Sequence, residues 1–443
     1  RSGHYSLVEE MLKSNVIDVN YIKKINSDGF EKFSTPLIVS ISNDFTNIAE
    51  LLINHPNIDI NAIEISSDWT STNQKTNALL SAVWMDNHRI VELLLKQKNI
   101  EINMILPEIK YQQYDCDILE QNALIEAINI GDIDMINLFL SNDQTDINAP
   151  CLSHDEISFT VYDIERPIFS AIKNGFTNIV KLLLSHPKID LKSRILYIND
   201  EKRLNDSLLG YAIRQGEIEI TKLLLKQPQI DVNSICKNTN GSSYLYEEKS
   251  PLYIAVEDEK EEIVKLLLSH SKIDVNCQCL QRDNLNSSMK TITVLHKAIE
   301  TKNKRIINYL LSHPSINVNA YSSFNKETTT VIEKEKITTI KYSLKSGDVE
   351  ILKLLLSKDE IDLNLKSIKM VFSPNSLIKE EKTSIEESIA LKNVDLFKHL
   401  FNHFIIKYNP EIDFLKKLSN IEMDENIKEI IIQSIHNIEN TMT

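Results

Sequence analysis

Ser250-Pro251-Leu252-Tyr253-Ile254-Ala255-Val256, then Ile263-Val264-Lys265-Leu266-Leu267-Leu268, then Ile273-Asp274-Val275-Asn276, is the stretch whose reading decides the fold. A short apolar segment opens behind Ser-Pro, a polar break follows, and a second apolar run ends in a polar tetrad. From Ile263 to Leu268 only Lys265 is polar, a density that suits a helix packed between neighbours better than one with a broad wet face. Pro in a first helical turn costs no hydrogen bond, and the Ser before it can cap the helix.

The unit recurs along the chain. Its tetrad returns at Ile17–Asn20, Ile58–Asn61, Ile100–Asn103, Thr145–Asn148, Ile189–Lys192, Ile230–Asn233, Ile316–Asn319 and Ile361–Asn364. Successive last positions, with Asn276 included, lie 41, 42, 45, 44, 41, 43, 43 and 45 residues apart. A small residue keeps step in the first apolar segment: Ser40, Ala82, Ala127, Ala171, Ala212, Ala255, Ala298, Ser343 and Ser388. A period of this size marks a solenoid, in which each unit buries its apolar face only against its neighbours. Gly131, Gly175, Gly216 and Gly347 sit four residues after the small residue, where the turn between two helices needs a positive φ. Asp44, Asp86, Glu259, Lys302 and Lys392 stand there in other units, which predicts strained or differently built turns.

Thr35-Pro36-Leu37, Ser250-Pro251-Leu252 and Thr293-Val294-Leu295-His296-Lys297-Ala298 resemble the opening of the ankyrin repeat. Ile179-Val180-Lys181-Leu182-Leu183-Leu184 resembles its second helix, and Asp-Val-Asn its exit turn. The period exceeds the family's, which is about 33. The excess lies between the tetrad and the next small residue, so long fingers are expected. The resemblance implies an all-α, ankyrin-repeat α-solenoid with long β-hairpin or loop fingers. We expect a partial repeat over residues 1–20, about nine full repeats of about 43 residues over 21–404, and a C-terminal helical cap over 405–443. The fingers carry isolated aromatics, among them Trp69, Tyr114 and Phe159.

Composition narrows the function. With 49 basic and 63 acidic residues the net charge is −14, which argues against nucleic acid, whose phosphates need a basic stripe. A protein partner with a basic or mixed-charge surface is the natural complement. No apolar run is long enough for a membrane span. Five cysteines at irregular positions, with Cys277-Gln278-Cys279 the one close pair, read as reduced thiols in a cytoplasmic protein and complete no zinc site. Arg1 is not a start methionine, and Leu7–Leu12 reads as the second half of a repeat, so a piece of a longer chain is expected.

Chemistry finds little support. The Ser-His pairs Ser185-His186, Ser269-His270 and Ser312-His313 recur at one position, the end of the second helix, where a His can meet terminal carbonyls and the negative dipole end. A catalytic site should occur once and have a third partner. His399 and His403 have the i, i+4 spacing of metal ligands, but Leu400 stands where a metalloprotease helix has its Glu. No enzyme, cofactor or metal is expected. The family's fold implies a concave face of first helices and fingers, lined by the residues one before and two or three after each small residue. On this basis Trp84, Met85, Ile130, Tyr211, Arg214, Glu257 and Asp258 are the candidate partner-binding residues, of types suited to interface anchors and charged rims. The expected role is a non-catalytic scaffold or adaptor. The alternatives are a structural component of a larger assembly, or the targeting or regulatory arm of a longer protein.

Overall fold

Helix, helix and hairpin alternate throughout the computed structural model, which describes residues 2–14, 17–27, 30–67, 73–112, 115–155, 161–199, 202–240, 244–374 and 376–442. In the unit that opened the sequence reading, the first helix is Pro251–Glu257 and the second Glu261–Leu268. Ser250 accepts a hydrogen bond from the Tyr253 N–H at 3.2 Å, satisfying one of the helix's free donors. Thr35 caps Pro36–Ser42 in the same way, and Asn77 and Asn122 cap Ala78–Trp84 and Ala123–Ile130. Leu252 through Val256 are buried, as are Ile263, Val264 and Leu267, while Lys265 faces water. The small residue is buried in every repeat, from Ser40 to Ser388.

The turn between the two helices has one conformation whatever residue occupies it. Gly131, Gly175, Gly216 and Gly347 have φ of 84°, 68°, 80° and 73°, as the sequence requires. Asp44, Asp86, Glu259, Lys302 and Lys392 adopt the same left-handed backbone, with φ from 53° to 59°. These five turns are therefore strained rather than differently built, at about 1–2 kcal/mol each.

The tetrad earns its sequence through hydrogen bonds that a single repeat does not show. Val275 is buried, and Asp274 accepts the Asn276 N–H at 2.9 Å, closing the exit turn on itself. Asn276 then reaches into the next repeat: its amide donates to the Ser315 carbonyl at 2.8 Å and its oxygen accepts the Asn317 N–H at 2.7 Å. Asn233 and Asn319 do the same. So do Asn20, Asn61, Asn103 and Asn148 earlier in the chain. One carboxamide thus satisfies a donor and an acceptor on its neighbour, which is why Asn closes the tetrad. Lys192, with no acceptor, cannot make this pair of bonds.

The expected all-α class is corrected by the fingers. Each is an antiparallel hairpin, for example Tyr321–Glu327 with Ile332–Thr338, and eighteen strands are formed among the described residues. The added ten residues lengthen the hairpins until neighbouring fingers pair with each other as well: Lys290 lies opposite Phe324, and Lys336 opposite Ile368. Pairing along both edges satisfies backbone groups that a long loop would leave to water. Trp69, Tyr114 and Phe159 lie outside the described residues.

The chain divides into two compact units, residues 1–223 and 224–443. In the first, five hairpins pair in chain order from Lys23–Ser27 to Lys202–Ser207; in the second, four run from Cys236–Asn240 to Ser376–Lys382. The helix Val394–Tyr408 crosses residue 404, where the sequence reading placed a boundary. Its end covers the last exit turn. Lys407 donates to the carbonyls of Asp359 and Ile361, and the Tyr408 hydroxyl accepts the Leu363 N–H at 3.0 Å. Ile412–Ser419 and Glu425–Met442 pack together beyond it.

Candidate functional site

Trp84, Met85 and Ile130, two or three residues after the small residue of their repeats, are exposed by 36%, 42% and 49%. All three end first helices of neighbouring repeats that pack side by side, Ala78–Trp84 against Ala123–Ile130. One residue before the small residue the expectation of exposure fails. Ser81, Ser170, Tyr211 and Ile254 are buried there, the first three against the finger residues Thr76, Glu165 and Tyr197, while Val39, Glu126, Lys297 and Tyr342 are half-buried.

Tyr211 is the clearest correction. Its ring is held edge-on between Phe169, at 5.6 Å, and Tyr197 of the finger, at 5.2 Å. Arg214 belongs to the same cluster. Its Nε donates to Asp206 at 2.8 Å, and the Tyr197 hydroxyl donates to the same carboxylate oxygen at 2.8 Å. Burial, followed by the charge of Asp206, pushes the Tyr197 hydroxyl far above its ordinary pKa. These two candidate residues hold the finger to the helix.

Glu257 and Asp258 are also engaged. Lys249, almost wholly buried, sits 2.7 Å from both Glu247 and Glu257, and Lys297 approaches Glu257 at 3.3 Å. Burial alone would push the Lys249 ammonium down, but Glu257 and Glu247 together hold it above its usual range. Asp258 pairs with Lys260 at 3.3 Å. The acidic stretch in the sequence is therefore locally neutralised.

The recurring histidines act as turn caps, though not toward carbonyls as expected. The Nδ1 of His55, His186, His270 and His313 accepts the N–H two residues on, at 3.2 to 3.3 Å. His296 is buried against Thr293, whose hydroxyl lies 2.6 Å from its Nδ1, and burial pushes its pKa down to about 3. The thiols of Cys151, Cys236, Cys277 and Cys279 are buried, and burial pushes the last two up to about 12, far from a reactive thiolate. His403 is pushed down by burial and by the nearby Lys407.

Sequence reading missed Asp86, His88 and Asp132, whose ligand atoms lie within 4.8 Å of one another. His88 Nε2 is 2.8 Å from Asp132, and its Nδ1 is 3.9 Å from Asp86. Each ring nitrogen faces a different carboxylate, which suits a doubly protonated imidazolium better than a metal held by one nitrogen. Asp132 also caps its own helix by accepting the Met135 N–H. The signal was available as a spacing of one repeat between His88 and Asp132, joined with the N-cap rule.

Burial pulls His88 down, but the hydrogen bond and charge of Asp132, with the charge of Asp86, raise it on balance. Burial would raise Asp132, yet the Met135 N–H and His88 hold it below its usual value. The link is thus complete below the unfolded His value of about 6.5 and is lost as pH rises through the raised value. On the acid side it persists until pH falls below the ordinary carboxylate range. Two-dimensional NMR should show the His88 pKa falling in Asp132→Asn. The stability difference between the parent and His88→Gln should fade as pH rises through the raised His88 value. An unchanged His88 titration in Asp132→Asn would contradict the clamp.

A family model agrees with the repeat reading. The family model for ankyrin repeats (three copies) matches residues 1–106, 124–236, 171–279 and 233–322. Among solved structures, the chain is similar to the crystal structure of an ankyrin repeat protein, at 23% identity over 50% of this chain and 92% of that one, with a TM-score of 0.34. Among curated proteins, none matches the sequence. No helix among the described residues is long and apolar enough to cross a membrane.

Proposed function

Because the chain belongs to the ankyrin repeat family, whose repeats generally serve as protein–protein interaction modules, we propose that it is a non-catalytic scaffold that docks a partner protein on the face lined by Trp84, Met85 and Ile130. The observation that carries the reading is this exposed apolar run on two adjacent first helices, in repeats whose other large apolar side chains on those helices are buried. Aromatic and Met side chains on a rigid surface are good anchors, since little entropy is lost on docking. Glu257, Arg214 and Tyr211 hold the scaffold's own fingers, and Asp258 pairs with Lys260 of the interhelical turn; they supply shape rather than contact. The net charge favours a partner of basic or mixed-charge surface, with neither nucleic acid nor cofactor involved, in the cytoplasm. The helices after residue 404 serve as the cap of the stack.

A photo-crosslinking residue at position 85 tests the reading, with one at the exposed Asn178 of a second helix as control. One stoichiometric protein adduct is expected at position 85 only, and Trp84→Ala should reduce its yield about tenfold or more, the usual loss for an aromatic anchor. Equal yields with and without Trp84 would move the binding site elsewhere.

A further inference from the structure

The second unit carries an open groove of about 620 Å³ in the corner between its fingers and first helices. Its finger wall is one row across three strands: Lys290 lies opposite Phe324, and Phe324 opposite Glu335, so their side chains share a face. Ile299 and Tyr342 of two successive first helices supply an apolar and aromatic floor. The charges around this floor are unevenly satisfied. Glu300 accepts the Tyr342 hydroxyl at 2.9 Å and faces Lys290 at 3.5 Å and Lys297 at 3.7 Å. Glu335 pairs with Lys341 at 3.4 Å. Lys302 and Lys345, both exposed on the rim, have no ion-pair partner among the described residues. A chain of net charge −14 here presents two free cations over an aromatic floor.

We propose that this groove takes an extended peptide segment of a protein partner in which an apolar or aromatic side chain is flanked by carboxylates. The apolar residue covers Tyr342 and Phe324, while the flanking Asp or Glu residues reach Lys302 and Lys345. Lys302 is well placed for this, because its left-handed backbone (φ 59°) lies at the turn between helices, where four repeats have Gly and no side chain and three others, at Asp44, Asp86 and Glu259, have a carboxylate. The proposal rests on the protein-binding reading above and names the chemistry of a second contact. It makes the groove the local exception to an acidic surface and suits a partner of mixed charge.

A displayed library of random twelve-residue peptides, selected on the full chain at 50 mM salt, provides the test. Peptides with Asp or Glu beside Leu, Ile, Phe or Tyr should be enriched. Lys302→Glu with Lys345→Glu should weaken the selected peptides tenfold or more, whereas Lys272→Glu, at an exposed turn of the same unit outside the groove, should leave them unchanged. If the double variant does not fold, the parent decides: affinity should fall about tenfold between 50 and 300 mM salt, as unpaired surface charges are screened. Enrichment without acidic bias, or affinity insensitive to both salt and the lysines, overturns the proposal. Basic or neutral peptides that depend on Trp84 would overturn it too, yet leave the concave-face reading standing. Failure of the parent to select any peptide overturns the groove assignment, while crosslinking at position 85 separately judges the wider one.

Discussion

Leu267→Ala is expected to destabilise the second unit by about 2–5 kcal/mol, the range for removing a large side chain from a packed core. Leu267 is fully buried in Glu261–Leu268, a helix packed against its own partner Pro251–Glu257 and against Lys304–Ser312 of the next repeat. The core here is only two helices deep, so the cavity cannot be filled by distant side chains moving inward. Hydrogen exchange should locate the damage. Amides of Pro251–Glu257 and Lys304–Ser312 should lose protection first, and those of Val349–Leu356 later, because coupling in a repeat array is mainly between nearest neighbours. An equal loss of protection in all these helices would contradict a solenoid stabilised repeat by repeat.

Asp206→Ala should cost at least as much, about 3–5 kcal/mol, because it removes one partner of a buried ion pair and leaves the other. Asp206 is fully buried, and one of its oxygens takes hydrogen bonds from both Arg214 and the Tyr197 hydroxyl. Without it the guanidinium and the phenol lose a shared acceptor beneath the finger. Asp206→Asn keeps the shape but not the charge and should lose less. Arg214→Met placed on Asp206→Ala should recover part of the loss, since the stranded charge is then gone. Denaturant unfolding would measure the energies. Near-UV circular dichroism would report whether the Phe169, Tyr211 and Tyr197 rings lose their edge-on packing. Simple additivity of Asp206→Ala and Arg214→Met would show that the pair is not coupled.

These two sites differ in how visible they were beforehand. Leu267 could be named from the sequence because its environment is periodic: the same residue types recur about every 43 positions, and packing between like units follows from that repetition. The caps at Thr35 and Ser250, the small residue at Ala255 and the left-handed turns belong to the same class, since each depends on chemistry within a few residues. Even Asp86 and Lys302 could be assigned a turn by their place in the period, though not its backbone.

What the repeat does with its variable positions is a tertiary matter. Tyr211 and Trp84 occupy first helices of the same design, yet one is 3% exposed and the other 36%. They stand at different steps of the helix, one before and two after the small residue, and the finger residue Tyr197 comes down over the first, which depends on strand pairing rather than on neighbours in sequence. Glu257 reads as a free carboxylate until Lys249, eight residues before it, and Lys297, forty after it, are brought alongside. Asn276 reads as a turn residue until its carboxamide meets Ser315 and Asn317. Periodicity and local capping specify the stack because each unit repeats the same short-range instructions. Exposure and charge pairing depend on finger residues eight to fourteen positions away and on residues about forty positions away, whose meeting is decided only when the finger folds over its helix and one repeat is laid on the next.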